Sequence, residues 1–383
     1  MTHSLPLNTE WIDQQALKLV KALQSKNYIT YLVGGCVRDL LLGLPPKDWD
    51  IATSALPKEV NKVIRPSYII GRRFQLVLVK RYGKQYEIST FRANVETSDE
   101  EPDGPIMDDN IFGTPEEDAR RRDFTINSFF YDPVKAELID YTNGLADIEA
   151  RVVRMIGDPV IRIQEDPLRM LRAVRFAHKA NFEIESTLRQ AIIDLADQLT
   201  LSVLPRRREE LLKFLRLPTA SNILWECHDL NLLKHLSPGL NNVLEEADAD
   251  IFNTKLNQGL ECISDQENPN ELFSVLLFAM IAAKTPNFCE HLKIDKKRQE
   301  ALSIMMKNEL GMYRVEQDNF FQTLSLIGQL KEIPEPTKVR ERYRTHLVKN
   351  NSMSTALTLA SAYKLIPEPH LFYWADHYWK TRN

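Results

Sequence analysis

Two aspartates, two residues apart, are the first residues with obvious chemical use. Asp48-Trp49-Asp50 comes soon after Gly34-Gly35-Cys36-Val37-Arg38-Asp39. On a strand, side chains at i and i+2 point to the same side, so the two carboxylates converge into a hard-oxygen site suited to Mg²⁺. The two glycines follow the apolar run Ile29–Val33. There they let a backbone approach phosphate, and a helix start beyond them offers N–H groups to an anion. Arg38 adds a fork of donors for phosphate oxygens. Taken singly, a Gly-Gly turn and a solvated Asp pair beside a proline turn are as readily structural. In strand–turn–helix order they are much more specific.

Three further groups extend this chemistry. In Gln85–Phe91, Glu87, Ser89 and Phe91 share one face of an extended run and Tyr86, Ile88 and Thr90 the other. A strand beside the Asp pair would bring Glu87 to the same metals; the plain alternative is a surface glutamate. Arg121-Arg122-Asp123-Phe124-Thr125-Ile126-Asn127 fits the mouth of a phosphate site, or a solvated turn entering a buried segment. In Glu165–Arg175, Asp166 is a good N-cap and Pro167 suits the first helical position. Asp166, Arg169, Arg172 and Arg175 recur every three residues as one drifting stripe, beside the apolar stripe Leu168, Leu171, Val174. A solvated charged face and a ligand-facing one both fit that spacing. Asp and Arg together suit reading a base edge: Asp takes an amino hydrogen and Arg gives to a ring nitrogen. Adenine and cytosine present that pattern. Guanine and uracil present the reverse and would leave buried groups unpaired.

The elements that must position these residues change character along the chain. To about Gly157 the pattern is mixed α/β. Helices are predicted over Trp11–Leu23, Val37–Leu42 and Pro57–Ile64, and strands over Ile29–Val33, Asp50–Ala52, Gln75–Arg81 and Gln85–Phe91. Tyr82-Gly83-Lys84 joins the last two as a hairpin. Val95–Asn110 is acidic, broken by Pro102, Gly104 and Pro105, and aperiodic; loops that long inside a domain are often functional. Beyond Asp166 the pattern is helical, punctuated at Leu204-Pro205, Ser237-Pro238, Ile333–Pro336 and Ile366–Pro369. His228-Asp229, isolated in an expected helix over Ile223–Leu236, reads as structural. Arg206-Arg207-Arg208 fits contact with RNA phosphates or, more plainly, a helix start with solvated charges.

The 383 residues predict two or three domains at about 100–200 residues each. With 43% hydrophobic and 27% charged residues, the chain has enough apolar surface to offset ordering entropy, which excludes disorder over most of it. No run reaches the roughly 18–20 apolar residues of a spanning helix, so no membrane partner is expected. Met1–Trp11 lacks the basic start and apolar core of a signal peptide. Cys36, Cys227, Cys262 and Cys289 form no Cys-x-x-Cys, which argues against structural zinc and for reduced thiols in the cytoplasm. A net charge of −4 does not advertise nucleic-acid binding by the whole surface, though a local basic surface can still bind it.

From Tyr31 to Phe214 the motifs, in order, resemble the class II nucleotidyltransferases, the group of bacterial poly(A) polymerases and CCA-adding enzymes. The resemblance implies an α/β head with a small mixed nucleotidyltransferase sheet, followed by an all-helical neck and body. The corresponding spans are 1–157 (catalytic head), 158–235 (neck, base recognition) and 236–383 (body, RNA binding). It implies that Asp48 and Asp50 hold two Mg²⁺ ions with help from Glu87, and that Gly34, Gly35 and Arg38 hold the triphosphate. Arg122 and Asp123 belong to a second nucleotide motif, with Asp123 close to the catalytic carboxylates. Asp166 and Arg169 read the base, with Arg172 and Arg175 beside them, and Asp140–Asp147 is a hinge. Ile69-Ile70-Gly71-Arg72-Arg73-Phe74, Asp109–Gly113 and Glu116-Glu117-Asp118 are similar to the poly(A) polymerase type. The implied function is template-independent addition of AMP from ATP to the 3′ end of an RNA, mRNA or tRNA. Completion of the tRNA CCA end is the alternative within the family. A non-catalytic RNA-binding module is the alternative outside it, and the intact Asp pair argues against that. Well-known members carry a long basic C-terminal extension. This chain ends at Lys380-Thr381-Arg382-Asn383 without one, which leaves the hold on RNA, and any protein partner for it, open.

Overall fold

A computed structural model describes residues 2–3, 9–71, 75–93, 112–246, 249–285 and 287–382. The expected loop Val95–Asn110 and residues 72–74 lie outside these. The chain divides into two units, residues 1–162 with 181–188 and residues 163–180 with 189–383.

The first unit is built on a mixed sheet. Its elements are β1 (Thr2–His3), α1 (Gln14–Gln24), β2 (Thr30–Val33), α2 (Gly35–Leu41), β3 (Trp49–Thr53), α3 (Pro57–Val63), β4 (Tyr68–Ile70), β5 (Leu76–Arg81), β6 (Lys84–Thr90), α4 (Pro115–Arg120), β7 (Phe130–Asp132), β8 (Glu137–Ile139), α5 (Gly144–Ala150), β9 (Val152–Val153) and α6 (Pro159–Glu165). The strand order is β1-β8-β7-β2-β3-β6-β5-β4. β3 and β6 run parallel and every other pair antiparallel. The helix expected from Trp11 begins at Gln14 because Asp13 caps it, accepting from the Gln15 and Ala16 N–H at 2.8 and 3.1 Å. Its stripe Ala16, Leu19, Val20, Leu23 is buried against one sheet face, together with Val37 and Leu40 of α2, Val60 of α3, and Leu32, Ile51, Tyr86 and Ile88 from the strands. The β5–β6 hairpin turns on Tyr82 and Gly83, both at positive φ, which matches the strand twist. The edge strand β4 was not foreseen, since Tyr68-Ile69-Ile70 is short and exposed on both faces.

A smaller cluster covers the opposite face: Val33, Ala52, Phe91, Phe130, Ile139 and Ala119 of α4. Asp50 lies on that face, two residues before Ala52, where the apolar cover ends.

In the second unit, α7 (Leu168–Ala180) leads to α8 (Ser186–Asp194), α9 (Leu204–Leu215), α10 (Ala220–Asp229) and further helices through Glu368–Arg382. β10 (Glu183–Ile184), before α8, pairs parallel with β9, which is why residues 181–188 group with the first unit. The proline breaks fall at helix starts: Pro205 in α9, Pro238 in Pro238–Glu246, Pro369 in Glu368–Arg382. Residues 189–383 are not divided at 235. Arg208, expected to be solvated, is 6% exposed, pairs with Glu316 and lies over the rings of Phe273 and Tyr313. Arg207 donates to the His235 carbonyl at 3.1 Å. The basic run at the start of α9 therefore joins helices on both sides of residue 235. The helix expected through Leu236 stops at Asp229, and His228 bonds Asn241 at 3.0 Å, as a structural residue does.

Candidate active site

Strand register assembles the carboxylates. β3 and β6 pair Asp50 with Glu87, so their side chains stand on adjacent strands about 5 Å apart in the pairing direction. On β6 the buried face is Tyr86, Ile88 and Thr90, leaving Glu87 exposed as the alternation requires. Asp48 precedes β3 in a bend and is exposed. The Asp50 side chain reaches solvent, yet the surrounding protein desolvates it enough to make burial the main cause of a pKa raised to about 6. The negative charges of Glu87 and Asp48 push in the same direction and Arg122 opposes them. Three carboxylates gathered at one strand end form a hard-oxygen set with an excess of negative charge, which fits a divalent cation such as Mg²⁺. Among the described residues, no group of three or more His, Cys, Asp or Glu side chains stands in metal-ligand geometry.

The glycine turn lies beside this set. Gly34 has φ +71°, and a Cβ there would stand 3.0 Å from Nη1 of Arg122. A side chain at 34 would be strained and would displace the arginine. Arg122 bonds Asp118 through Nε and Nη2 and the Asn127 carbonyl through Nη1. Arg38 is 2% exposed; its fork is held by Asp39, at 2.9 Å from Nε, and by the Asn127 amide oxygen. It thus braces the glycine turn from within, and Gly35 stands over it. Asp48, Asp50, Glu87, Gly34 and Arg122 are brought together. Asp123 is half-buried one residue further on, its carbonyl accepting from the Ile156 N–H at 3.0 Å. In the expected hinge, Asp140 accepts from the Thr142 and Leu145 N–H, and Gly144 packs where a Cβ would meet the Thr125 carbonyl at 2.5 Å.

On α7 the apolar stripe Leu168, Leu171, Val174 is buried, and Arg169, Arg172 and Arg175 are half-buried rather than solvated. Asp166 lies just before the helix, its Oδ1 accepting from the Leu168 N–H at 3.3 Å, and Arg206 of α9 forks it at 2.7 and 3.2 Å. Arg169 pairs with Glu165 at 2.7 Å. Arg175 pairs with Glu210 at 2.8 Å and lies over the Phe176 ring, so it ties α7 to α9. Arg172 stands 6.0 Å from the same ring. Sequence reasoning named Asp118 and Arg206 without pairing them with Arg122 and Asp166. The signal for Asp118 was an acid three and four residues before an arginine pair; Arg206 had none.

Residues 30–154 match the poly A polymerase head domain, and residues 181–244 the probable RNA and SrmB-binding site of polymerase A. The poly(A) polymerase I of Salmonella typhi is 41% identical over 242 residues, 61% of this chain and 52% of that protein. That of Haemophilus influenzae is 36% identical over 276 residues, 69% and 61%. A CCA-adding enzyme of Lactobacillus delbrueckii subsp. bulgaricus is 41% identical over 200 residues, 52% and 49%. The chain thus spans about half to three-fifths of the length of these curated relatives. Among solved structures, the Bacillus stearothermophilus CCA-adding enzyme in complex with CTP aligns with a TM-score of 0.68 at 26% identity, covering 96% of this chain and 82% of that one. No described helix is long and apolar enough to cross a membrane. The chain belongs to the nucleotidyltransferase family of the bacterial poly(A) polymerases and CCA-adding enzymes.

Proposed function

We propose that this protein is a polynucleotide adenylyltransferase that transfers AMP from ATP to the 3′ end of an RNA in the cytoplasm. The observation that carries the reading is the register pairing of Asp50 with Glu87, beside Asp48 and across from Arg122 and the Gly34 turn. A donor set this rich in carboxylate oxygen suits Mg²⁺, held by Asp48 and Asp50 with Glu87 in support. Bound there, Mg²⁺ ions supply activation of the 3′ hydroxyl and charge neutralisation on the triphosphate.

The remaining work falls to the chain itself. Gly34 and Gly35 allow the backbone close to the phosphates, and Arg122 presents a guanidinium to them. Arg38 keeps the glycine turn in shape from below. We assign Asp123 to the same nucleotide motif. Catalysis is then positioning and charge stabilisation, with the hydroxyl attacking the α-phosphate and pyrophosphate leaving. Asp166 and Arg169 are assigned to the base edge, with Arg172 and Arg175 shaping their helix face. The poly(A) polymerase I relatives favour AMP addition. The CCA-adding relatives favour the second reading, in which CMP is also used. Incubating the chain with a generic RNA primer, Mg²⁺ and each nucleoside triphosphate separately tests the proposal. Extension with ATP alone is expected; no extension with any of the four overturns it.

A further inference from the structure

α4 carries a carboxylate that the nucleotide site as described does not use. Asp118 is 1% exposed, although its neighbours Glu116 and Glu117 face solvent. Its Oδ1 accepts from Nε and Nη2 of Arg121 at 2.9 and 2.7 Å, and from the Arg92 N–H at 3.2 Å. Its Oδ2 accepts from Nε and Nη2 of Arg122 at 3.3 and 3.0 Å. Burial alone would raise this carboxyl; Arg122 and Arg121 outweigh it and hold it below the ordinary range, so it stays charged.

With two nitrogens of Arg122 committed to Asp118, the third, Nη1, is the one turned toward Gly34, where it also donates to the Asn127 carbonyl at 3.3 Å. The guanidinium lies 5.4 Å from the Phe130 ring centroid, which limits its tilt. The backbone of this segment is held by a different residue. Nη2 of Arg162 donates to the carbonyls of Arg121 and Arg122 at 2.8 and 3.1 Å. Arg162 therefore fixes the chain while Asp118 aims the side chain.

We propose that Asp118 is a positioning residue for the triphosphate: its buried carboxylate holds the Arg122 guanidinium beside Gly34, aimed at an incoming anion. The inference rests on reading the head as a nucleotide site. It names a device within that site which acts on the triphosphate through Arg122.

The test uses the full chain with Asp118→Asn, Arg122→Ala and the double variant. Calorimetric binding of ATP with Mg²⁺ in the absence of RNA is measured first, then KM for ATP and for RNA, with a thermal melt of each variant. Asp118→Asn is expected to weaken ATP binding and raise KM for ATP about tenfold, the scale of a lost charge-assisted contact. KM for RNA should stay within about twofold, and the double variant should bind ATP no worse than Arg122→Ala alone. If Asp118→Asn melts below the assay temperature, Asp118→Glu is read instead. It keeps the charge but displaces it by a methylene, and must give the same ATP-selective loss. Unchanged ATP affinity, independent multiplication of the two single effects, or equal losses for ATP and RNA that follow the melting temperature would each overturn the proposal. A wild-type chain that binds ATP but extends no RNA would overturn the proposed function, while the binding series still decides the role of Asp118.

Discussion

Asp50 shares a sheet face with Ala52 and a register position with Glu87, and burial, helped by the like charges of Glu87 and Asp48, raises its pKa. A carboxylate whose charged form the surrounding protein disfavours is expected to be dispensable for folding and required for turnover. Asp50→Ala should lower nucleotide addition by on the order of 10²–10³-fold or more. Its melting temperature should be equal to or above wild type, because removing the carboxylate relieves the repulsion. Primer extension and a thermal melt check this; a variant with near-normal turnover would remove Asp50 from the metal site. Arg169→Ala should lose discrimination among nucleotides by about 1–3 kcal/mol if a bidentate base contact goes, read as the ratio of ATP to GTP and UTP use. An unchanged ratio would leave Arg169 as the structural partner of Glu165. At this scale the sequence was informative where chemistry depends on alternation, as for Glu87, and uninformative where it depends on distant partners. Arg38 looks like a phosphate donor in one dimension; only the fold brings Asn127 to its fork.

Each element is set by a few local rules, and α1 shows both their reach and their limit. The apolar stripe was readable. The role of Asp13 was not, because its carboxylate also accepts from Lys84 at 2.8 Å and from the Tyr86 hydroxyl at 2.9 Å, both more than seventy positions away. Burial would raise this carboxyl; the Lys84 ammonium, the Ala16 and Gln15 N–H and Tyr86 together hold it at about 2. Since its folded pKa lies below the ordinary value of 3.8, its contribution to stability is complete above about pH 4 and is lost as pH falls through 2. Asp13→Ala should destabilise the head by about 1–2 kcal/mol at neutral pH. The difference from wild type should shrink between about pH 4 and pH 2, as followed by urea unfolding. A difference that stays constant over that window would place the effect in packing instead. β4 was missed for a related reason: an edge strand of three exposed residues carries no burial pattern for periodicity to detect.

At the scale of the molecule, the change from mixed α/β to helical pattern was legible near Gly157, and the observed division falls at 162. The return of residues 181–188 was not, because a two-residue parallel pairing leaves no trace in composition. Nor was the pairing of Arg208 with Glu316, more than a hundred positions later. The relatives match across both units and carry two activities, and adenine and cytosine offer Asp166 and Arg169 the same donor–acceptor pattern. The decisive measurement is therefore sequencing of the products made on a generic RNA primer and on a tRNA lacking its CCA end, each with all four nucleotides present. The account predicts long A-only tails on the primer and little C in either product. Addition of C, C and A to the tRNA followed by a stop would contradict it and establish the CCA-adding activity.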